Sequence, residues 1–260
     1  MGALGLATAP GMTWAIENQG VGIDYLEALG RPGALNERVE YLAPSQIDKA
    51  YTHAIYVNAG HRTDGAQKMW VIERDGDDWK LALWDEKYWE RKGATPEYSW
   101  PVSTGRKYAG DSRSGPTPLG IFNADDRNHR HRRGWGSPGM YNSIYIDLHY
   151  RSGRASGVAM HGTTSSKYRK LGRADSHGCI RMTQSNANNV WSMFHGEGRP
   201  GESSPLWSEV PRYFQTTPAS DRSARYGYVR DGSILRDEET GEVLTKPGYS
   251  VLFVFFRDDL

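Results

Sequence analysis

The chain has 260 residues, with 32 Lys and Arg against 31 Asp and Glu, a formal net charge of +1. That balance argues against a dedicated nucleic-acid binder. The mean hydropathy is −0.70 and no apolar run reaches the roughly 18 residues of a membrane-spanning helix. The single cysteine, Cys179, excludes an internal disulfide and any metal site built on two thiolates. With 30 Gly, 9 Trp and 15 Tyr, the composition favours a β-rich, turn-rich fold over a helical bundle.

Met1–Pro10 is small and apolar but has no basic residue ahead of it, so a complete signal peptide is not evident. Residues 1–53 read as an N-terminal extension. Within it, short helices are expected around Asn36–Tyr41 and, capped by Ser45, over Gln46–His53. From Ala54 the pattern turns to strands. Ile55–Asn58 is a short apolar run, and Lys68–Arg74 and Trp79–Trp84 alternate on either side of the turn Asp75-Gly76-Asp77-Asp78. Tyr98–Ser103, Gly120–Asn123, Tyr141–Tyr150 and Gly157–Met160 are further expected strands, the last reaching His161. Thr183 reads as the N-cap of a helix whose apolar face carries Ala187, Val190, Trp191 and Phe194. Residues 196–224 read as loop, Tyr226–Arg230 and Glu242–Thr245 as a hairpin, and Val251–Phe256 as a buried strand. The expected fold is mainly β with one packed helix.

The chemistry concentrates in Ser176-His177-Gly178-Cys179-Ile180-Arg181. A cysteine acts as a nucleophile when its thiolate is stabilised by an imidazolium or a helix N-terminus, and the helix expected from Thr183 lies just downstream. Gly178 permits a sharp turn that brings backbone N–H groups toward a substrate carbonyl. His161, at a strand end, is the candidate base. The alternative for each is a buried structural thiol and an ordinary histidine. A zinc site from His161, His177 and Cys179 lacks an evident fourth ligand, so no metal is expected.

His161, a gap of 14 residues (162–175), then Ser176-His177-Gly178-Cys179 and Arg181 resembles the signature of the L,D-transpeptidase catalytic domain, the YkuD-like family. Val102-Ser103-Thr104-Gly105 and Thr117-Pro118-Leu119-Gly120-Ile121-Phe122 are similar to that family's upstream segments, so the resemblance covers roughly 54–195. It implies a mixed-sheet, β-sandwich-like catalytic domain over 54–260, with an insertion at about 196–246. It also implies peptidoglycan chemistry without a cofactor: Cys179 attacks a stem-peptide carbonyl, the terminal D-residue leaves, and an amine of a second stem resolves the thioester. By the same resemblance His161 is base and acid, and the Gly162 carbonyl orients it. His177, Gly178 and Cys179 offer oxyanion N–H groups.

Ser176 and Arg181 either brace the loop or touch substrate. Trp135 and Tyr141 are candidate cleft residues or core aromatics. The run Arg127–Arg133, with four Arg among His129 and His131, reads as a solvated loop or a capture patch for carboxylates. The expected partners are donor and acceptor stem peptides, with neither nucleic acid nor a transmembrane segment, and the expected location is periplasmic or extracytoplasmic. An L,D-carboxypeptidase or wall-protein hydrolase would use the same thioester. A non-catalytic wall-binding module is the third reading.

Overall fold

The computed structural model describes residues 22–36, 40–61, 67–83, 99–126, 129, 139–150, 154–197, 200–216 and 230–259. Its centre is a mixed sheet in the order β3 (Asp78–Leu83), β2 (Lys68–Asp75), β1 (His53–Asn58), β13 (Val251–Phe256), β5 (Gly120–Asn123), with β4 (Trp100–Pro101) also paired to β2. The two strands furthest apart in sequence, β1 and β13, lie parallel at its middle, with His53 opposite Val251 and Asn58 opposite Phe256.

Val251–Phe256 is apolar at every position because both faces of this sheet are covered. Val251, Phe253 and Phe255 join Ile55, Val57, Met69 and Val71 in one core, while Leu252, Val254 and Phe256 join Ala54, Tyr56, Trp70 and Ile72 in the other. This is the period of two that a pleated strand imposes. Each Val, Leu, Ile, Phe or Met among them, removed from water, contributes about 1.5–3 kcal/mol.

The first core is closed by a second sheet, β6 (Ile144–Tyr145), β7 (Ala159–Gly162) and β8 (Ile180–Met182), and by one long helix. The second core is closed by Leu26, Ile47, Tyr51, Val210 and Tyr213. Residues 22–29 form a helix, α1, which supplies Leu26 to that core. The long helix, α2 (Gln184–His195), begins as its sequence predicts: Thr183 accepts the Asn186 N–H, and Ala187, Val190, Trp191 and Phe194 are buried. The fold is mainly β, with mixed sheets and few helices, as expected.

Several elements differ from expectation. Gln46–His53 is not helical: a 3₁₀ turn at Pro44–Gln46 gives way to extended backbone at Ile47, and His53 opens β1. Asn36, Glu40 and Tyr41 are not helical either, and 37–39 lie outside the described residues. Tyr141–Tyr150 is not one strand. Ile144 pairs with Met160, whereas Ile146 bridges to Ala124, and the Leu148 N–H turns back to the Ile146 carbonyl. The chain is changing partners between sheets there, while Ile144, Ile146 and Leu148 all stay in the core. The stretch read as loop contains β9 (Trp207–Pro211) and β10 (Tyr213–Thr216). β9 pairs with β12 (Thr245–Tyr249), and β10 with β11 (Arg230–Ile234). Of the expected hairpin, residues 226–229 lie outside the described residues, Arg230 and Thr245 begin these strands, and Val243 bridges to Arg236.

Candidate active site

β7 and β8 run parallel, with Met160 opposite Ile180, His161 opposite Arg181 and Gly162 opposite Met182. Met160, Ile180 and Met182 belong to the core. Alternation therefore puts His161 and Arg181 together on the other face. Cys179 immediately precedes β8 and is half-buried, with Sγ 3.7 Å from the Gly157 carbonyl. The cysteine is thus at the mouth of the strand that neighbours the histidine's strand.

His161 is buried, and its Nδ1 lies 2.7 Å from the Gly162 carbonyl. A carbonyl only accepts, so Nδ1 carries the proton and Nε2 holds the basic lone pair. Burial pushes the imidazole down to about 4; the Gly162 bond opposes this and the Arg181 charge adds to it. His161 is therefore neutral at physiological pH, in one tautomer.

Backbone contacts hold the loop before Cys179 tightly. Ser176 N–H donates to the Thr104 carbonyl at 2.9 Å, and Gly115 N–H to the His177 carbonyl at 3.3 Å. Ser176 Oγ accepts the Gly178 N–H at 3.1 Å and donates to the Cys179 carbonyl. Gly178 has φ of +137°, a region that L side chains rarely adopt. Against it lies Gly105, where a Cβ would sit 2.2 Å from the Gly115 carbonyl and 2.6 Å from Gly178 Cα. Buried Thr117 completes the contact: its Oγ1 accepts the Gly105 N–H at 2.8 Å and donates to the Gly178 carbonyl at 2.9 Å.

The remaining predicted residues separate. Arg181 Nη1 donates to the Asp175 carbonyl at 2.7 Å and lies 3.7 Å from its carboxylate, so it braces the loop. Arg106, Lys167 and Lys170 surround the same buried carboxylate at 3.6–3.7 Å. The exposed His177 side chain stacks on Tyr108, with ring centroids 4.7 Å apart, and its Nε2 is 3.3 Å from Asp111. Tyr141 is exposed, and its carbonyl accepts the Gly162 N–H at 3.0 Å, so it lies next to the histidine's strand. Trp135 lies outside the described residues, as does the run 127–133 apart from His129.

Two expectations are corrected. The helix N-terminus does not follow Cys179 directly, because β8 intervenes and α2 starts only at Gln184. Its dipole, which fades within about a turn, is not next to the thiol. His129 is not in a solvated loop. It stacks on Tyr249 at 12°, lies 3.1 Å from His195 Nε2, and is pushed down to about 3 by burial and by the neighbouring histidine, so it adds no positive charge at neutral pH. Thr117, Gly105, Tyr108 and Asp175 carry no sequence signal of their own as site residues. Only the upstream segments Val102–Gly105 and Thr117–Phe122 pointed toward two of them.

Residues 85–203 match the family model of the L,D-transpeptidase catalytic domain, YkuD. The resemblance read from His161 and Ser176–Arg181 is thereby shown, and all of those residues fall within the matched span. Among solved structures, an L,D-transpeptidase from Stackebrandtia nassauensis aligns at 16% identity, over 66% of this chain and 60% of that one, with a TM-score of 0.34. One from Xylanimonas cellulosilytica aligns at 18% identity, over 59% of each chain, with a TM-score of 0.33. One from Mycobacterium smegmatis aligns at 18% identity, over 54% of each chain, with a TM-score of 0.29. The chain spans about 60% of the length of the first two. No curated protein matches it.

Proposed function

Because residues 85–203 match the L,D-transpeptidase catalytic domain, we propose that this protein is a peptidoglycan L,D-transpeptidase working through a Cys179 thioester. The observation that carries the reading is the pairing of β7 with β8. It puts a buried, neutral His161 with a defined tautomer on the strand beside the one that Cys179 immediately precedes. In this reading His161 Nε2 takes the thiol proton as Sγ leaves the Gly157 carbonyl and attacks the carbonyl of the third stem residue. The carbon–nitrogen bond breaks, and His161 returns the proton to the departing amine of the terminal D-residue. An amine of a second stem then attacks the thioester, gives a proton to His161, and the thiol is restored. The energy of the first peptide bond is carried in the thioester, so no nucleotide is consumed, which suits a periplasmic or extracytoplasmic location.

The His177, Gly178 and Cys179 N–H groups are assigned as oxyanion donors, with Gly178 N–H also bonded to Ser176 Oγ. Arg181 and Ser176 are assigned to loop bracing, and Tyr141 to the cleft beside Gly162. We assign residues 54–260 to the catalytic domain and 196–246 to an insertion in it. No helix among the described residues is long and apolar enough to cross a membrane.

The test is incubation with purified disaccharide-tetrapeptide followed by mass analysis. Cross-linked dimers that have lost one terminal residue support transfer. Tripeptide alone turns the assignment to the carboxypeptidase. Cys179→Ala is expected to lower either product by at least about 10³-fold, and product formed at the unaltered rate by that variant would end the thioester mechanism.

A further inference from the structure

The loop that ends at Cys179 depends on one buried hydroxyl outside the histidine–cysteine motif. Thr117 Oγ1 accepts the Gly105 N–H at 2.8 Å and donates to the Gly178 carbonyl at 2.9 Å. The direction of both bonds is forced, because an amide N–H only donates and a carbonyl only accepts. The hydroxyl proton therefore points at Gly178. The Gly178 carbonyl and the Cys179 N–H are the two ends of one planar peptide unit. Holding the first fixes the direction of the second and the place of Cys179 Cα; the Cys179 carbonyl, held by Ser176 Oγ, then fixes the Cα–Cβ bond that carries Sγ.

The backbone just before this peptide is also confined. Gly105 packs so closely on Gly178 that a Cβ there would lie 2.7 Å from Gly178 N. Ser176 Oγ holds both the Gly178 N–H and the Cys179 carbonyl. The Gly178–Cys179 peptide is thus tied at its carbonyl by Thr117, while its flanking units are tied by Ser176. Thr117 is the side chain in this set that reaches the Gly178 carbonyl from another segment, 61 residues upstream.

We propose that Thr117 is a positioning residue for the acylation step: its hydroxyl sets the Gly178–Cys179 peptide plane, and so aims the Cys179 thiol and N–H at a substrate carbonyl. The role rests on the thioester reading above. It makes a specific demand. Attack on a carbonyl needs both the thiol and the peptide dipole in place, whereas alkylation of the same thiol by a small neutral reagent needs only the thiol.

The experiment compares two second-order rates on Cys179, each followed by intact mass. One is acylation by a carbapenem, in which the sulfur–carbon bond forms, the lactam carbon–nitrogen bond breaks, and the ring nitrogen gains a proton. The other is alkylation by iodoacetamide. Thr117→Val removes the hydroxyl at nearly constant shape. It is expected to slow acylation about 10²-fold and to change alkylation by no more than about twofold. Thr117→Ser keeps both hydrogen bonds and is expected to restore acylation to near the wild-type rate. If Thr117→Val does not fold, Thr117→Ala serves, since the smaller side chain leaves room for water to satisfy both backbone groups; the same split between the two rates is expected.

Equal slowing of both rates, or acylation unchanged in the Val or Ala variant, overturns the positioning role. A Ser variant as slow as Val also overturns it. Wild-type protein that alkylates at Cys179 but is neither acylated by the carbapenem nor active on tetrapeptide overturns the thioester reading itself, and the role falls with it.

Discussion

At the scale of single residues, the candidate site is defined by what has no room to move. Gly105 is the clearest case. A Cβ there would meet the Gly115 carbonyl and the Gly178 backbone, and none of those atoms is the end of a flexible side chain that could swing away. Gly105→Ala is expected to destabilise the fold by about 1–3 kcal/mol and to displace the Cys179 loop. Denaturant unfolding and the carbapenem acylation rate of Cys179 measure the two effects together. Unchanged stability with an unchanged rate would mean that the loop yields more easily than its packing implies. The motif residues themselves were readable because they are nearly contiguous and chemically unusual. Thr117 and Asp175 were not, because a buried threonine and an aspartate are common residue types until their partners are known.

At the scale of elements, the loop between the 3₁₀ turn Ser165–Lys170 and β8 is organised by charge. Asp175 is buried with Arg106, Lys167, Lys170 and Arg181 around it, all within 3.7 Å. Asp175→Asn would leave these cations facing one another. Because three of them are a third to a half exposed, solvent screens much of the repulsion. A loss of about 1–3 kcal/mol is expected, shrinking at high salt. An equal midpoint for variant and wild type at low salt would remove Asp175 as the organiser of the loop. Helix α2 was legible from its cap and its period, both local signals. Tyr141–Tyr150 was not, because its alternation continues while its hydrogen bonds pass from one sheet to the other.

At the scale of the whole molecule, buried histidines tie stability to pH. His129 is held down to about 3 and His161 to about 4, each first by burial. Between those values and the ordinary value near 6.5, the unfolded chain binds protons that the folded chain does not. Stability is therefore complete above about pH 6.5 and lost as the pH falls through this window. Asp147 extends the loss. Burial alone would push it up, but hydrogen bonds and charges from His149 and Lys246 outweigh that and bring it to about 2, so its contribution disappears below about pH 3.8. His149, raised by its bond to Asp147, works in the opposite direction. The net expectation is a melting temperature that falls steadily from pH 7 to pH 4, and a shallower fall in His129→Phe. A flat profile for the wild type would contradict neutral burial of these rings.

The amino-acid sequence by itself determined the mainly β character, the central apolar strand Val251–Phe256, the capped helix after Thr183 and the motif from Ser176 to Arg181. Each of these rests on composition, on period or on neighbours within a few residues, so each is written locally. Only the tertiary structure decided that β1 pairs with β13, that residues 207–216 form strands, that His129 is buried, and that Thr117 and Gly105 grip the Cys179 loop. Those facts depend on hydrogen bonds and contacts between segments far apart in the chain. No local pattern encodes them, because a strand's alternation tells which face is apolar but not which strand will lie beside it.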